Sequence, residues 1–108
     1  MMLKAPSYSD PADDFAKAHR YVEARRGREA AEIYAKHKAH VARSAELLTL
    51  FGRAEVLRGR KRAAIRLFFE AERLARVRGD EAVLAEAQRL REEASRTSSS
   101  FGGAAAVA

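Results

Sequence analysis

The feature that most constrains the fold is a match of the chain to itself at a shift of 34 residues. At this shift Ala30 and Tyr34 fall on Ala64 and Phe68. Self-similarity at such a period is typical of repeated helical hairpins, each of which buries its apolar face against the next copy. We therefore expect the function to lie on exposed surfaces rather than in a catalytic cleft.

The spacing of the apolar residues predicts an all-α chain of five helices, because these residues recur every three or four positions and no strand alternation is found. Helix 1 begins with Asp10 as N-cap and Pro11 in its first turn, and Gly27 is expected to close it. The other helices are predicted at about 28–42, from the cap Ser44 to Gly59, at about 61–78, and from Gly79 and Asp80 to about Ala94. The apolar stripe of helix 4 is broad, which predicts that it packs between two neighbours.

The 108 residues support one domain, which we place at residues 10–96. Residues 1–9 are predicted to be a flexible lead-in, and the Ser, Gly and Ala-rich residues 97–108 a flexible tail. No apolar run approaches the about 20 residues that span a bilayer, and the N-terminal residues lack a signal core. We expect no membrane insertion and a soluble, intracellular protein, most simply cytoplasmic.

In register, the two copies occupy residues 11–44 and 45–78. Small and aromatic residues recur in them at the spacing of the tetratricopeptide repeat, namely Ala18, Tyr21, Ala30 and Tyr34 in the first copy and Gly52, Ala64, Phe68 and Ala71 in the second. The chain thus resembles that family over residues 11–78. The resemblance implies a right-handed superhelical stack of two hairpins, with helix 5 as a C-terminal capping helix.

Two residues of the first copy depart from the repeat pattern. Asp14 stands at a tryptophan-like position, where the second copy has Leu48, and His37 stands where a small residue is expected. The second copy departs at Glu55, where an aromatic residue is expected, and the late proline of the family is missing. The alternative folds are an unrelated helical bundle with accidental small-residue spacing and a three-helix domain of the microtubule-interacting-and-trafficking type, whose short helices and A-x-x-x-Y spacing look alike.

The resemblance also implies a concave groove that is lined by the first helix of each hairpin and binds a segment of a partner protein. The groove residues carried over from the family are Phe15, His19, Val22, Thr49, Leu50, Arg53 and Leu57. The clamp with which some members hold chaperone tails is not expected, because Phe15 and His19 stand where it needs Lys and Asn. Val56 also stands at a groove position of the second copy, and the alternative is that Phe15, Leu50 and Val56 belong to the core.

A second candidate surface is a basic edge. The formal charge is +6, and residues 20–78 hold 16 of the 21 basic residues but only 7 of the 15 acidic ones. Stacked hairpins bring equivalent turns together, which predicts one stripe of Arg25, Arg26, Arg28, Arg58, Arg60, Lys61 and Arg62. Such a stripe could neutralise phosphates of RNA or another polyanion through backbone and shape, since no aromatic side chain is interleaved for base stacking.

The remaining sequence signals do not favour catalysis. Cysteine is absent, which excludes disulfides, thiolate zinc sites and cysteine nucleophiles. His37 and His40 lie one helical turn apart, but no further ligand completes a metal set. We predict a non-enzymatic protein-binding adaptor or assembly subunit without metal or cofactor. An RNA-contacting subunit of a ribonucleoprotein assembly and a homo-oligomer whose open ends pair are the alternatives.

Overall fold

A computed structural model describes residues 10–107, with side chains described as far as residue 96, and this part of the chain forms helices joined by short turns. The six helices are α1 Pro11–Glu23, α2 Gly27–Lys36, α3 Lys38–Val41, α4 Ala45–Leu57, α5 Lys61–Arg78 and α6 Glu81–Val107. The predicted all-α class is confirmed. The predicted count of five helices is wrong, because the second helix is divided in two.

Of the two proposed flexible segments, one lies beyond this description and the other is described in its backbone alone. The lead-in, residues 1–9, is outside the described residues. The predicted end of the last helix at about Ala94 is wrong, because α6 continues to Val107 through most of the tail, residues 97–108. The side chains of that part of α6, and residue 108, are outside the described residues. The flexibility of the lead-in and of the tail therefore stays a prediction.

Side-chain caps begin α1, α4 and α6 where the sequence predicts them. Asp10 accepts a hydrogen bond from the backbone N–H of Ala12 at 3.4 Å, and the Ser44 hydroxyl accepts one from Leu47 at 3.2 Å. The Asp80 carboxylate accepts an N–H from the first turn of α6 at 3.2 Å. Each cap satisfies one of the N–H groups that a helix start leaves without an intrahelical partner.

The turns of the two hairpins share one pattern of backbone hydrogen bonds at the shift of 34. The N–H of Arg26 donates to the carbonyl of Tyr21 at 2.7 Å, and the N–H of Arg60 donates to the carbonyl of Glu55 at 2.9 Å. A hydrogen bond from an N–H to the carbonyl five residues earlier satisfies a carbonyl at the end of the preceding helix. It requires a left-handed residue just before the donor. The sequence repeat is thus also a repeat of local backbone structure.

The left-handed residue of the first turn is not a glycine. Arg25 has φ 63°, and its equivalent in the second turn, Gly59, has φ 77°. The prediction that Gly27 closes helix 1 is wrong, because Gly27 is the first residue of α2. It is buried there, and a Cβ on it would lie 2.7 Å from the carbonyl oxygen of Ala54. Close packing of α2 on α4 therefore requires this glycine.

The predicted second helix is interrupted at His37, whose φ of −127° separates α2 from α3. The His37 ring lies 2.9 Å, Nε2 to Oδ2, from the buried carboxylate of Asp14. At the equivalent positions of the second copy, Leu48 and Ala71 are both buried and α5 runs without a break. The two residues of the first copy that depart from the repeat pattern, Asp14 and His37, thus contact each other. The break is explained by the His37 imidazole, because the second copy packs only the methyl group of Ala71 at that position.

The other helices pack around α4, which contacts α1, α2, α3, α5 and α6. In each hairpin the second helix packs on its own first helix and on the first helix of the following unit, since α2 contacts α1 and α4 while α5 contacts α4 and α6. The prediction that α5 packs between two neighbours is confirmed. Two residues of its apolar stripe, Phe69 and Val77, are nevertheless exposed, at 54% and 81%.

The core contains the contact between a small and an aromatic residue that the sequence predicts for the second copy. Phe68 is fully buried, and a Cβ on Gly52 would lie 2.4 Å from its Cε1 atom. Phe51, also buried, lies with its ring centroid 5.4 Å from that of Tyr34. These contacts fix how closely α4 approaches its neighbours on both sides.

A buried ion pair and a small apolar cluster attach α6 to α5. The guanidinium of Arg91 donates two hydrogen bonds to the buried carboxylate of Glu72. Further along α6, the buried Ala94 packs with Ala64 and Phe68. Removing Arg91 would leave the Glu72 carboxylate, whose side chain is only 4% exposed, without its partner in a low-dielectric site, so this contact helps to fix the position of α6.

Candidate functional site

A groove of about 440 Å³ opens between α1, α4 and α6, with α5 beneath it. The surrounding side chains are apolar towards the floor and charged towards the rim, and they are Val22, Glu23, Arg25, Arg53, Val56, Leu57, Lys61, Phe68, Leu90, Glu93 and Ala94. Three helices that are not consecutive in the chain thus share one concavity. It can take an apolar side chain and surround it with charges of both signs.

Three of the predicted groove residues line this concavity, namely Val22, Arg53 and Leu57. Arg53 is exposed and Leu57 is half-buried, whereas Val22 is only 5% exposed. The exposed Val56, which the sequence leaves between groove and core, lies in the groove. The centre of α4 and the end of α1 therefore form the part of the groove that the sequence locates.

The other predicted groove residues lie elsewhere. Thr49 and Leu50 are buried, at 5% and 3% exposure, and the Thr49 hydroxyl donates to the carbonyl of Ala45. Phe15 is half-buried, and its ring centroid lies 5.3 Å from that of His37 and 6.2 Å from that of Phe51. His19 is exposed but does not line the groove. Thr49, Leu50 and Phe15 thus serve packing.

The sequence prediction of the groove did not include the residues of α5 and α6. Phe68 forms part of the floor, and Leu90, Glu93 and Ala94 supply the wall opposite α1. A signal for this wall was present, because Leu90 and Ala94 lie on the apolar face predicted for the last helix. That helix was expected to act as a cap, and it lines the groove as well.

The two arginine-rich turns converge, as predicted from the repeat. They surround a depression of about 630 Å³ lined by Arg25, Arg26, Gly27, Arg28, Glu29, Leu57, Arg58 and Arg60. We call this surface the arginine depression. Five of the seven residues predicted for the basic edge line it, while Lys61 lines the groove and the exposed Arg62 lines neither. The cations thus surround a hollow rather than form a straight stripe.

Two guanidinium groups of the arginine depression are held by carboxylates of the chain. Arg26 pairs with Glu29 at 3.0 Å, and Arg58 pairs with Glu55 at 3.1 Å. The Arg26 guanidinium also lies 5.7 Å from the ring centroid of Tyr21, within the range of a cation–π contact. These groups are positioned before any ligand arrives.

The other three arginines of the depression are Arg25, Arg28 and Arg60. All three are exposed, and within the described part of the chain none of them pairs with a carboxylate. Guanidinium groups present fixed, forked donors that match carboxylate and phosphate oxygens. The depression therefore has donors available for an anion.

The groove and the arginine depression adjoin each other. Arg25 and Leu57 line both surfaces. Arg25 follows α1 and Leu57 ends α4, so the boundary lies where the first hairpin turn meets the second. A ligand can therefore extend from the apolar floor of the groove to the cations without leaving the surface.

The two histidines considered as metal ligands lie around Phe15 instead. The ring centroid of Phe15 lies 5.3 Å from that of His37 and 5.5 Å from that of His40. The hydrogen bond to His37 lowers the pKa of Asp14 most; burial opposes this effect, and the charge of Lys36, 3.5 Å away, adds to it. Over residues 10–96 no group of three or more His, Asp or Glu residues is arranged to hold a metal ion.

Within the described residues, no helix has the length and apolar character needed to cross a membrane.

Comparison with known proteins finds no match to a family model, to a curated protein or to a solved structure. The likeness to the tetratricopeptide repeat accordingly remains a resemblance. It depends on the sequence period and on the matching turns described above.

Proposed function

We propose that the protein is a non-enzymatic adaptor or assembly subunit that holds a segment of a partner protein in the groove between α1, α4 and α6. The observation that carries this proposal is the groove itself, whose apolar floor includes Phe68, whose wall includes Leu90 and whose rim includes Arg53 and Glu93. Apolar anchors in a concavity, surrounded by polar contacts, are the common arrangement of peptide-binding grooves.

The shape of the groove favours a chain segment as its occupant. Three helices contribute to its walls, so a bound segment can contact α1, α4 and α6 at once. The rim carries Glu23 and Glu93 as well as Arg25 and Arg53, which suits a segment with several polar side chains around one apolar anchor. Recognition by a tetratricopeptide-like groove is the interpretation that also agrees with the sequence resemblance.

The test compares two exposed valines. Val56 lies in the groove and Val77 lies outside it on α5, at 43% and 81% exposure. We expect Val56→Asp to abolish recovery of partner proteins in affinity purification from the native source, because it buries a charge against the apolar anchor. Val77→Asp should retain that recovery. Val56 is a better probe than Leu50, whose burial would make an aspartate variant unfold.

Circular dichroism establishes that both variants are folded, and nuclease treatment of every sample removes partners held through RNA. Equal recovery by the two folded variants would contradict the proposal. Recovery that depends on Val56 only before nuclease treatment would contradict it as well, since the groove would then act through nucleic acid.

A further inference from the structure

We infer that the groove and the arginine depression form one continuous site for an acidic peptide segment, whose apolar side chain enters the groove and whose Asp, Glu or phosphorylated side chain enters the depression. This inference rests on the proposed function and adds the chemistry of the ligand. Its first support is the boundary shared by the two surfaces, where Arg25 and Leu57 contribute to both.

The second support is charge complementarity. Arg25, Arg28 and Arg60 are exposed and, in the described part of the chain, pair with no carboxylate. Arg26 and Arg58 are already oriented by Glu29 and Glu55, at 3.0 and 3.1 Å. An anionic side chain entering the depression would therefore meet three available guanidinium groups on a surface whose other cations are held in place.

The third support is the backbone of Arg25. Its φ of 63° is unfavourable for a residue with a side chain, and the equivalent residue of the second turn is Gly59. The chain thus has an arginine where a glycine would avoid the strain. Strain of this kind at a surface turn indicates that the side chain is used, and Arg25 is the residue that joins the two surfaces.

Carboxylates around the site favour a peptide over RNA. Glu29 in the depression and Glu93 in the groove are each paired with an arginine, but Glu23 lines the groove and, in the described part of the chain, pairs with no cation, so a run of phosphates extending from the depression along the groove would meet the Glu23 carboxylate. The depression also has no aromatic side chain among its lining residues for base stacking. A peptide can place its acidic residues beside the arginines and leave neutral residues near the glutamates.

The experiment selects ligands with the full chain from a phage library of random 12-residue peptides. We expect the wild type to enrich peptides that combine an apolar residue with Asp or Glu. A variant with Arg25→Gly, Arg28→Ser and Arg60→Ser should still enrich apolar residues but lose the acidic ones. The matched control replaces Arg62, Arg66 and Arg76 with Ser, which removes the same charge from exposed positions of α5 outside both surfaces. This control should select as the wild type does.

A selected peptide is then synthesised and titrated by fluorescence anisotropy. Replacing its acidic residues with Asn or Gln should weaken binding about tenfold, the effect of losing a charge-assisted hydrogen bond. Arg25→Gly alone should weaken binding of the acidic peptide but leave or raise the thermal unfolding midpoint, because glycine relieves the left-handed backbone. Unchanged affinity for the acidic peptide would overturn the role of Arg25, whichever way the midpoint moves.

The outcomes separate this inference from the proposed function. Selection of apolar peptides with no excess of acidic residues would overturn the inference and leave the groove proposal standing. An equal loss of acidic peptides in the α5 control would also overturn it, since net charge would then be the cause. Tighter binding of a single-stranded 12-nucleotide RNA through the same three arginines would assign the depression to nucleic acid. No enrichment by the wild type would remove both proposals.

Discussion

At the scale of single residues, Gly52 sets how closely α4 and α5 approach. A Cβ there would lie 2.4 Å from Cε1 of the fully buried Phe68, which is closer than real Cβ atoms come to a neighbour. We expect Gly52→Ala to lower the free energy of unfolding by about 1–3 kcal/mol, the usual effect of overpacking, although alanine favours the helix. Urea denaturation measures this change.

The control for Gly52→Ala is its combination with Phe68→Leu, which removes the ring atoms that the new methyl group meets. The combined loss of stability should be smaller than the sum of the two single losses, because the residues are in contact. Additive losses would mean that Phe68 does not respond to the added methyl group.

Arg25 illustrates why some single residues resist prediction. A left-handed residue after a helix is most often glycine, and Gly27 is only two residues away, so the sequence alone favours the glycine as the end of α1. In the structure Gly27 is needed for close packing on Ala54 instead, and the left-handed position falls to Arg25. Tertiary contact, which no local pattern records, decides between them.

At the scale of helices, the contact between Asp14 and His37 determines where the second helix of the first hairpin is interrupted. We expect Asp14→Leu and His37→Ala each to lower the free energy of unfolding by about 1–3 kcal/mol, because each leaves a partner without its hydrogen bond. The double variant should recover most of this loss, since Leu48 and Ala71 pack at the equivalent positions of the second copy. A double-mutant cycle by urea denaturation measures the coupling.

The pH dependence of stability provides the control for this exchange. In the folded state the pKa of Asp14 lies below its ordinary value of 3.8, chiefly through the hydrogen bond to His37. Its carboxylate therefore stabilises the fold above that pH, and this contribution is lost as the pH falls through the folded pKa. Between about pH 5 and pH 2 the double variant should lose less stability than the wild type. Parallel curves would contradict the role of this contact.

The helix ends show which part of the architecture is local. Asp10, Ser44 and Asp80 are caps that short sequence patterns identify, because a cap acts on backbone within three residues. The break at His37 has no local signal, since neither proline nor glycine is present there. It follows from Asp14, which is 23 residues earlier in the chain, and only the packing of α1 on α2 brings the two together.

At the scale of the whole molecule, the repeat predicts which turns lie side by side. It does not predict the full extent of the surfaces around them. It places the arginine turns of Arg26 and Arg60 together, because equivalent turns stack on one edge. It does not locate the wall of the groove formed by Leu90 and Ala94, since α6 lies outside the two matched copies. A site that is completed by a helix beyond the repeat can be located only from the structure.

The two hairpins should also differ in stability, because they are enclosed differently. Among the described contacts, α1 packs on α2 and α4 alone, whereas α4 contacts the five other helices. We expect α1, α2 and α3 to open at lower free energy than α4, α5 and α6. Native-state hydrogen exchange, repeated at a series of low guanidinium chloride concentrations, measures the two opening free energies.

Two variants localise this opening. Asp14→Leu should speed exchange in the first hairpin only, because Asp14 contacts His37 within it, whereas Gly52→Ala should affect every helix through α4. Val22 and Glu23 at the end of α1 line the groove together with residues of α4, so a segment that occupied the groove would contact both helices. It should therefore slow exchange in α1 most, since its binding energy adds to the work of separating α1 from α4. One opening free energy shared by all helices would mean that the chain unfolds as a single cooperative unit.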